Sequence, residues 1–329
     1  MSHERPLRIG ILGAARIAPT AVVRPSRELP ETEVVAVAAR DPQKARRFAA
    51  KHRIPRVFDS YDELLACPEI DAVYNPLPNG LHCEWTIRAL EAGKHVLCEK
   101  PMASNASEAE RMAEAARKAG RVLVEAFHWR YHPLAERMRE VVRTRLGEVE
   151  HLEAWLCVPF LLPGDIRFRY ELGGGATMDT GCYAINVVRW LAEAEPEVVS
   201  AEARLSSERV DRWMRADLRF ADGRTGRITC SLLSSTLFAI GASARGSAGE
   251  MRVFNPIGPH FYNRLTLRTS EGKQSERVAG DATYTHQLRA FAAQLRGGPA
   301  MSSDALDAVA NMRVIDAIYA RAGLPLRGE

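Results

Sequence analysis

Three side chains in this 329-residue sequence have the type and setting for moving a proton: Lys100, Asp179 and Tyr183. Lys100 lies in the stretch Lys94 to Met102, KHVLCEKPM. His95 to Cys98 is an apolar run of the length of one buried parallel strand. The lysine therefore follows the carboxyl end of a strand, where open α/β sheets bind their ligands. Pro101 biases Lys100 toward extended backbone and makes a cis peptide affordable, which would fix the direction of the ammonium. Asp179 and Tyr183 lie in GGGATMDTGCYAINVVRWL, where Asp179, Tyr183, Asn186 and Trp190 recur at one-face helical spacing. With Gly173-Gly174-Gly175 before them, they read as a polar wall of a pocket. The plainer reading is that Asp179 caps the helix and Tyr183 is a packed tyrosine with a satisfied hydroxyl.

The elements that would position these groups begin with Leu7 to Leu12, a buried strand that runs into Gly13-Ala14-Ala15-Arg16-Ile17-Ala18. Gly13, Ala15 and Ala18 fall on the three positions of a dinucleotide-binding turn, G-x-G-x-x-G/A, with Ala15 replacing the second glycine. Either the phosphate then sits slightly farther out or the backbone keeps φ negative there. A second apolar strand, Glu33 to Ala39, ends at Arg40-Asp41. A carboxylate there suits the ribose 2′-OH of NAD, and an arginine suits the 2′-phosphate of NADP. We expect Arg40 to favour NADP, with Lys44 as a second candidate, and NAD as the alternative. Asp41 is more simply the N-cap of a helix from Pro42 to His52. Strands and helices keep alternating through Val122 to Ala126, the pattern of a doubly wound parallel sheet. Leu77-Pro78-Asn79, at the end of the fourth strand, is a wall for the nicotinamide ribose or simply a capped proline turn.

From Glu148 onward the chain changes character. Runs at Glu148–Val158, Glu197–Leu205, Met214–Phe220, Arg224–Leu233, Leu237–Arg245, Glu250–Phe254 and Arg264–Arg268 read as strands, many of alternating polarity. The expected fold class is α/β: a Rossmann domain over 1–126, then an α+β domain over 127–329 with a large, mostly antiparallel open sheet. Helices from Tyr284 to Leu295 and Asp304 to Ala322 close the chain.

A net charge of +4, spread evenly, gives no footprint for nucleic acid. The six cysteines show no C-x-x-C pair and sit mostly in apolar patterns, as reduced cytosolic thiols do. No run has the ~20 apolar residues of a membrane span, and the start of the chain lacks a signal-peptide core. A soluble cytoplasmic protein is expected. His128 and His132 are four apart but lack the glutamate and third ligand of a zinc helix, so no metal is expected. No serine or cysteine nucleophile has an identifiable base partner.

Gly10-Ile11-Leu12-Gly13, Arg40-Asp41, Leu77-Pro78-Asn79, Glu99-Lys100-Pro101 and Asp179-x-Gly181-x-Tyr183 occur in this order. The chain thereby resembles the glucose–fructose oxidoreductase/inositol dehydrogenase (Gfo/Idh/MocA) family over about residues 7 to 323. Within it, the resemblance is nearest to dimeric dihydrodiol dehydrogenases and NADP-dependent aldose dehydrogenases. It implies Lys100 beside the nicotinamide, Tyr183 as the acid–base group with Asp179 next to it, and a dimer or tetramer made through the open sheet. Cofactor contacts are then expected at Gly13, Ala15, Arg16, Ile17, Arg40, Leu77, Pro78, Asn79, His82, Glu99 and Lys100. Arg167 and His260 join Lys100, Asp179 and Tyr183 on the substrate side. Ala15, Ala39 and Asn75 depart from the family pattern. The expected activity is hydride transfer between NADP(H) and a sugar or cyclic diol. The alternatives are a ketosugar reductase and a non-catalytic cofactor-binding regulator, which would have no need of a proton relay.

Overall fold

In a computed structural model, which describes residues 5–160 and 164–329, two sheets organise the chain. The first holds β1 (Leu7–Leu12), β2 (Thr32–Ala38), β3 (Arg56–Phe58), β4 (Ala72–Asn75), β5 (His95–Cys98) and β6 (Leu123–Glu125). All pairs are parallel and the order is β3-β2-β1-β4-β5-β6. Parallel strands need crossovers, supplied by α1 (Arg24–Glu28), α2 (Pro42–His52), α3 (Tyr61–Ala66), α4 (His82–Glu91) and α5 (Ala106–Ala119). Strands covered on both faces must be apolar throughout, and β4 and the Val96–Cys98 part of β5 are completely buried. This is the doubly wound sheet expected from the alternation. Its ligand edge is the carboxyl end of the strands.

The second sheet holds β7 (Val149–Cys157), β8 (Glu197–Ser207), β9 (Val210–Arg219), β10 (Thr225–Ser231), β11 (Ala239–Gly246), β12 (Gly249–Phe254), β13 (Arg264–Thr269) and β14 (Gly272–Glu276). Their order is β14-β13-β12-β11-β7-β10-β9-β8, antiparallel except for the β7–β10 pair. No pattern in the sequence points to β14, because every residue in it is exposed and no apolar alternation marks it. Helices α6 (Pro133–Arg145) and α7 (Cys182–Ala192) belong to this half, and α7 is buried along its whole length.

The chain forms two compact units, each interrupted in sequence. Tyr284–Val309, which carries most of α8 (Thr283–Leu295) and the start of α9 (Ala305–Arg321), groups with the parallel sheet, whereas Ala310–Glu329 groups with the antiparallel one. Ser303 shows why: its hydroxyl donates to the Glu125 carbonyl at 2.7 Å and its own carbonyl accepts from the Glu125 amide at 2.9 Å, extending the β6 edge.

Candidate active site

The dinucleotide turn follows β1. Gly13 has φ +96°, and a Cβ there would lie 3.0 Å from Leu77 Cδ2, so glycine is required both by backbone and by space. The contact also shows that Leu77, expected as a cofactor wall, stands over this turn. Ala15 takes an ordinary negative φ, since the positive-φ non-glycine residues among those described are Arg53, Glu193 and Asn255. Arg16 is exposed and Ile17 half-buried, and a wide π-type turn, Pro19–Val23, leads into α1. At the end of β2, Asp41 caps α2, its Oδ1 accepting from the amides of Gln43 at 2.9 Å and Lys44 at 3.2 Å. Arg40 and Lys44 are exposed, and the Arg40 charge acts on the nearby Tyr61 phenol.

Lys100 leaves the end of β5, and the Lys100–Pro101 peptide is cis. The other lysine of this stretch is structural. Lys94 Nζ donates to the carbonyls of Cys67 (2.6 Å) and Ile70 (2.9 Å), and burial lowers its pKa. Around Lys100 the backbone is held by buried groups. Its amide lies 3.3 Å from Glu99 Oε2, and Glu99 Oε1 accepts from the Tyr74 hydroxyl at 2.6 Å. The amide of Met102 donates to Glu125 Oε1 at 2.8 Å. Tyr284, whose ring lies 4.1 Å from that of His128, has its pKa pushed up by burial and by the Glu99 charge. Asn79 opens a short turn of 3₁₀ helix after Pro78.

His82, expected among the cofactor contacts, is completely buried, with Nε2 2.7 Å from the Leu77 carbonyl and Nδ1 2.9 Å from the Pro101 carbonyl. Burial pushes its pKa down to about 4, against the pull of those carbonyls. The ring braces the turns after β4 and β5 and offers no edge to a ligand. Asn75 acts with it: its amide nitrogen donates to Thr86 Oγ1 at 3.0 Å and its oxygen accepts from the Leu77 amide at 3.3 Å. The polar residue in an apolar strand is thus a brace for the Leu77 turn.

The second unit carries Asp179 and Tyr183. Thr177–Gly181 is a π-type turn continuous with α7, a local widening often found at functional sites. Asp179 is half-buried and its Oδ2 accepts from Arg167 Nε at 2.8 Å. Arg167, expected at the substrate, is drawn into a bridge between Asp179 and Asp165, the latter at 3.0 Å. Its pKa is raised because these two carboxylates outweigh the effect of burial, the largest single influence. Tyr183 is 7% exposed. The helical stripe beyond it is core: Asn186 is buried, and Trp190 Nε1 donates to the Ala135 carbonyl at 3.0 Å. His260 has its Nδ1 3.4 Å from the Thr283 amide at the start of α8, and burial lowers its pKa.

The glycine triplet faces a buried ion pair that sequence reasoning missed. A Cβ on Gly175 (φ +138°) would lie 2.2 Å from Asp211 Oδ1. Asp211 and Arg327 are both completely buried and 3.0 Å apart. Glu125 was also missed, although a lone carboxylate inside the run Val122 to Phe127 is a readable signal. Arg327 gives no such signal, because an arginine near two glycines reads as surface.

Comparisons with known proteins agree with this architecture. Residues 7–127 match the family model described as an oxidoreductase family with an NAD-binding Rossmann fold, and residues 135–252 match the GFO/IDH/MocA C-terminal domain. The chain belongs to the Gfo/Idh/MocA oxidoreductase family. It is 35% identical over 317 residues to D-xylose 1-dehydrogenase (NADP(+)) 2 of Haloferax volcanii, covering 95% of this chain and 96% of that one. It is 37% identical over 235 residues to trans-1,2-dihydrobenzene-1,2-diol dehydrogenase of Xenopus tropicalis, covering 70% and 69% of the two chains. A solved structure of a variant 3-ketoreductase from Actinomadura kijaniata, in complex with TDP-benzene and NADP, superposes with a TM-score of 0.89 at 30% identity, covering 96% of this chain and 97% of that one. The resemblance inferred from the short motifs is therefore the true affiliation, and the chain is an oxidoreductase. No helix among the described residues is long and apolar enough to cross a membrane.

Proposed function

We propose that this enzyme transfers a hydride between NADP(H) and a carbinol or carbonyl carbon of a sugar or cyclic diol, with Lys100 and Tyr183 handling the proton. The observation that carries the reading is the carboxyl edge of the parallel sheet, where the Gly13 turn and Lys100 emerge from strands of one sheet. The Gly13 turn fits a pyrophosphate because it has no Cβ and no room for one. The preference for NADP over NAD is supported by Asp41 being engaged as a helix cap while Arg40 and Lys44 are exposed. When bound, this cofactor supplies the hydride chemistry at its nicotinamide ring.

The chain's own residues must hold the reacting carbon in place and move one proton. In our reading Tyr183 exchanges that proton with the substrate oxygen, and Lys100 hydrogen-bonds the same oxygen and favours the phenolate. Arg167 fixes the Asp179 carboxylate so that it can orient the tyrosine. In this division of labour residues 1–126 hold the dinucleotide and 127–329 supply the substrate side and the subunit contacts. A location in the cytosol is supported by six buried cysteines, none of them in a disulfide. Assembly into a dimer or tetramer is supported by β7 of the second sheet, whose residues are buried on one face and partly exposed on the other. A ketosugar reductase is the second reading, favoured by the 3-ketoreductase superposition.

The experiment is a spectrophotometric screen of aldoses, ketosugars, inositols and trans-diols with NADP, NAD and their reduced forms, following nicotinamide absorbance in both directions. Turnover of a sugar or diol with NADP(H) is expected. Absence of turnover with every substrate while NADP binds would favour the regulator.

A further inference from the structure

We propose that Arg327, on the segment after α9, is a positioning residue that sets the orientation of the turn bearing Asp179 and leading to Tyr183. This rests on the reading of Tyr183 as the acid–base group. Two routes run from this guanidinium to that turn. In the first, Arg327 Nη2 donates to Asp211 Oδ1 at 3.0 Å, while Asp211 Oδ2 accepts from both the amide and the hydroxyl of Thr177 at 2.7 Å each. Thr177 is the first residue of the π-type turn that contains Asp179. In the second, Arg327 Nε donates to the Gly174 carbonyl at 2.7 Å. The Gly175 amide in turn donates to the Arg167 carbonyl at 2.8 Å, and the Arg167 side chain holds Asp179. One cation thus fixes the start of the turn and the loop that supplies the partner of Asp179.

The surroundings leave the group little freedom. The guanidinium stacks over Tyr319, 4.0 Å from the ring centroid, and the Arg327 carbonyl accepts from Asn105 Nδ2 at 2.7 Å. Tyr319 donates its hydroxyl to Asp211 at 3.0 Å. Gly175 is required because any Cβ would strike Asp211, Tyr319 and Arg327 together. Burying two charges is costly, and apolar residues of similar volume often hold a core as well or better. What an ion pair adds is direction, since a planar fork accepts partners only along its N–H bonds. Here the directions lead to the two backbone segments on which the acid–base half of the site depends.

The test compares Arg327→Met, Arg327→Lys, Thr177→Val and Tyr183→Phe in the full chain, measuring kcat, KM for NADP and thermal unfolding with the best substrate from the screen. A misplacement near 1 Å at a reacting group costs on the order of 100-fold in rate. We expect Arg327→Met to lower kcat about 10- to 100-fold with KM for NADP within about threefold of wild type. Arg327→Lys, which keeps the charge but not the fork, should recover part of that loss. A kcat within threefold of wild type in folded Arg327→Met overturns the inference, as does a KM for NADP that rises in step with the loss of kcat. Should Arg327→Met fail to fold, Thr177→Val decides: a several-fold drop in kcat at unchanged KM for NADP supports the inference, and an unchanged kcat overturns it. Full turnover by Tyr183→Phe would sink the underlying functional reading instead, whatever the Arg327 variants do.

Discussion

The choice between nicotinamide cofactors can be worked through from one strand end. Arg40 follows β2 and is exposed, with its charge acting on the Tyr61 phenol. The neighbouring carboxylate, Asp41, receives two backbone amides of α2 and is held in that cap. A 2′-phosphate would therefore meet an arginine ready to form charge-assisted hydrogen bonds, each worth about 1.5–3 kcal/mol. At about 1.4 kcal/mol per factor of ten, Arg40→Ala should lower kcat/KM for NADP by roughly 10- to 100-fold. With NAD, which has no 2′-phosphate, kcat/KM should change by less than about threefold on the same argument. Arg40→Asp should cost more with NADP and gain with NAD, because a carboxylate then faces the ribose hydroxyls. Lys44, one helical turn on, should give a smaller loss when replaced by Ala. The assay is initial-rate kinetics with each cofactor at saturating substrate. A ratio of the two kcat/KM values that moves less than threefold in Arg40→Ala would refute the assignment of the phosphate to this strand end.

Other outcomes follow from the buried groups. His82 is held neutral, with a pKa of about 4 in the folded chain against an ordinary value of 6.5. The unfolded chain therefore takes up the proton first, so His82 contributes stability above pH 6.5 that is lost as the pH falls toward 4. The contribution is about 3 kcal/mol, and urea unfolding from pH 7 to 4 should show a weaker pH dependence in His82→Gln. Glu193, held by Arg139 and Arg143, has its pKa lowered to about 2, chiefly by the Arg143 hydrogen bond. Its stabilisation is fully present above the ordinary carboxylate range and is lost as the pH falls through 2, so Glu193→Gln should lower stability most near neutral pH, with the difference from wild type shrinking as the pH falls from about 4 toward 2. Gly175→Ala forces both a positive φ and a Cβ into the Asp211–Arg327 pair. It should destabilise the protein by more than about 2 kcal/mol, measured by denaturant unfolding; a loss under about 0.5 kcal/mol, the range of an ordinary surface substitution, would contradict the close approach.

Much of this architecture could be read from residues whose local chemistry agrees with their final place. The alternation of β1 to β6 with helices, the Gly13 turn, the Asp41 cap and the lysine after β5 all follow from short-range rules. So do the seven anticipated strands of the second sheet, although their parallel β7–β10 pair depends on a crossover that no local pattern encodes. What escaped the sequence lies in long-range polar burial. His82, Asn75, Glu125, Asp211 and Arg327 are polar residues that local reading assigns to a ligand or to solvent. Each is buried because tertiary partners satisfy it, some near in sequence, as Leu77 and Thr86 are to Asn75, and some far, as when Asn105 and Arg327 meet across 222 residues. The bonds of Arg167 to Asp179 and Asp165 were likewise not legible, because nothing in a polar loop shows which carboxylates an arginine will meet. The closing helices were anticipated, but their division between the two units was not, because it depends on pairing such as Val124 with Asp304.

Above all, Lys100 is held to work on the reacting oxygen, without holding the fold or the cofactor. The most direct measurement is the rate of nicotinamide reduction by Lys100→Met with the best substrate from the screen, alongside its affinity for NADP by fluorescence. The expected result is a rate lower by at least about 100-fold, with NADP affinity and melting temperature close to those of the unaltered enzyme. Reduction at an undiminished rate, or a rate lost only because NADP no longer binds, would contradict it.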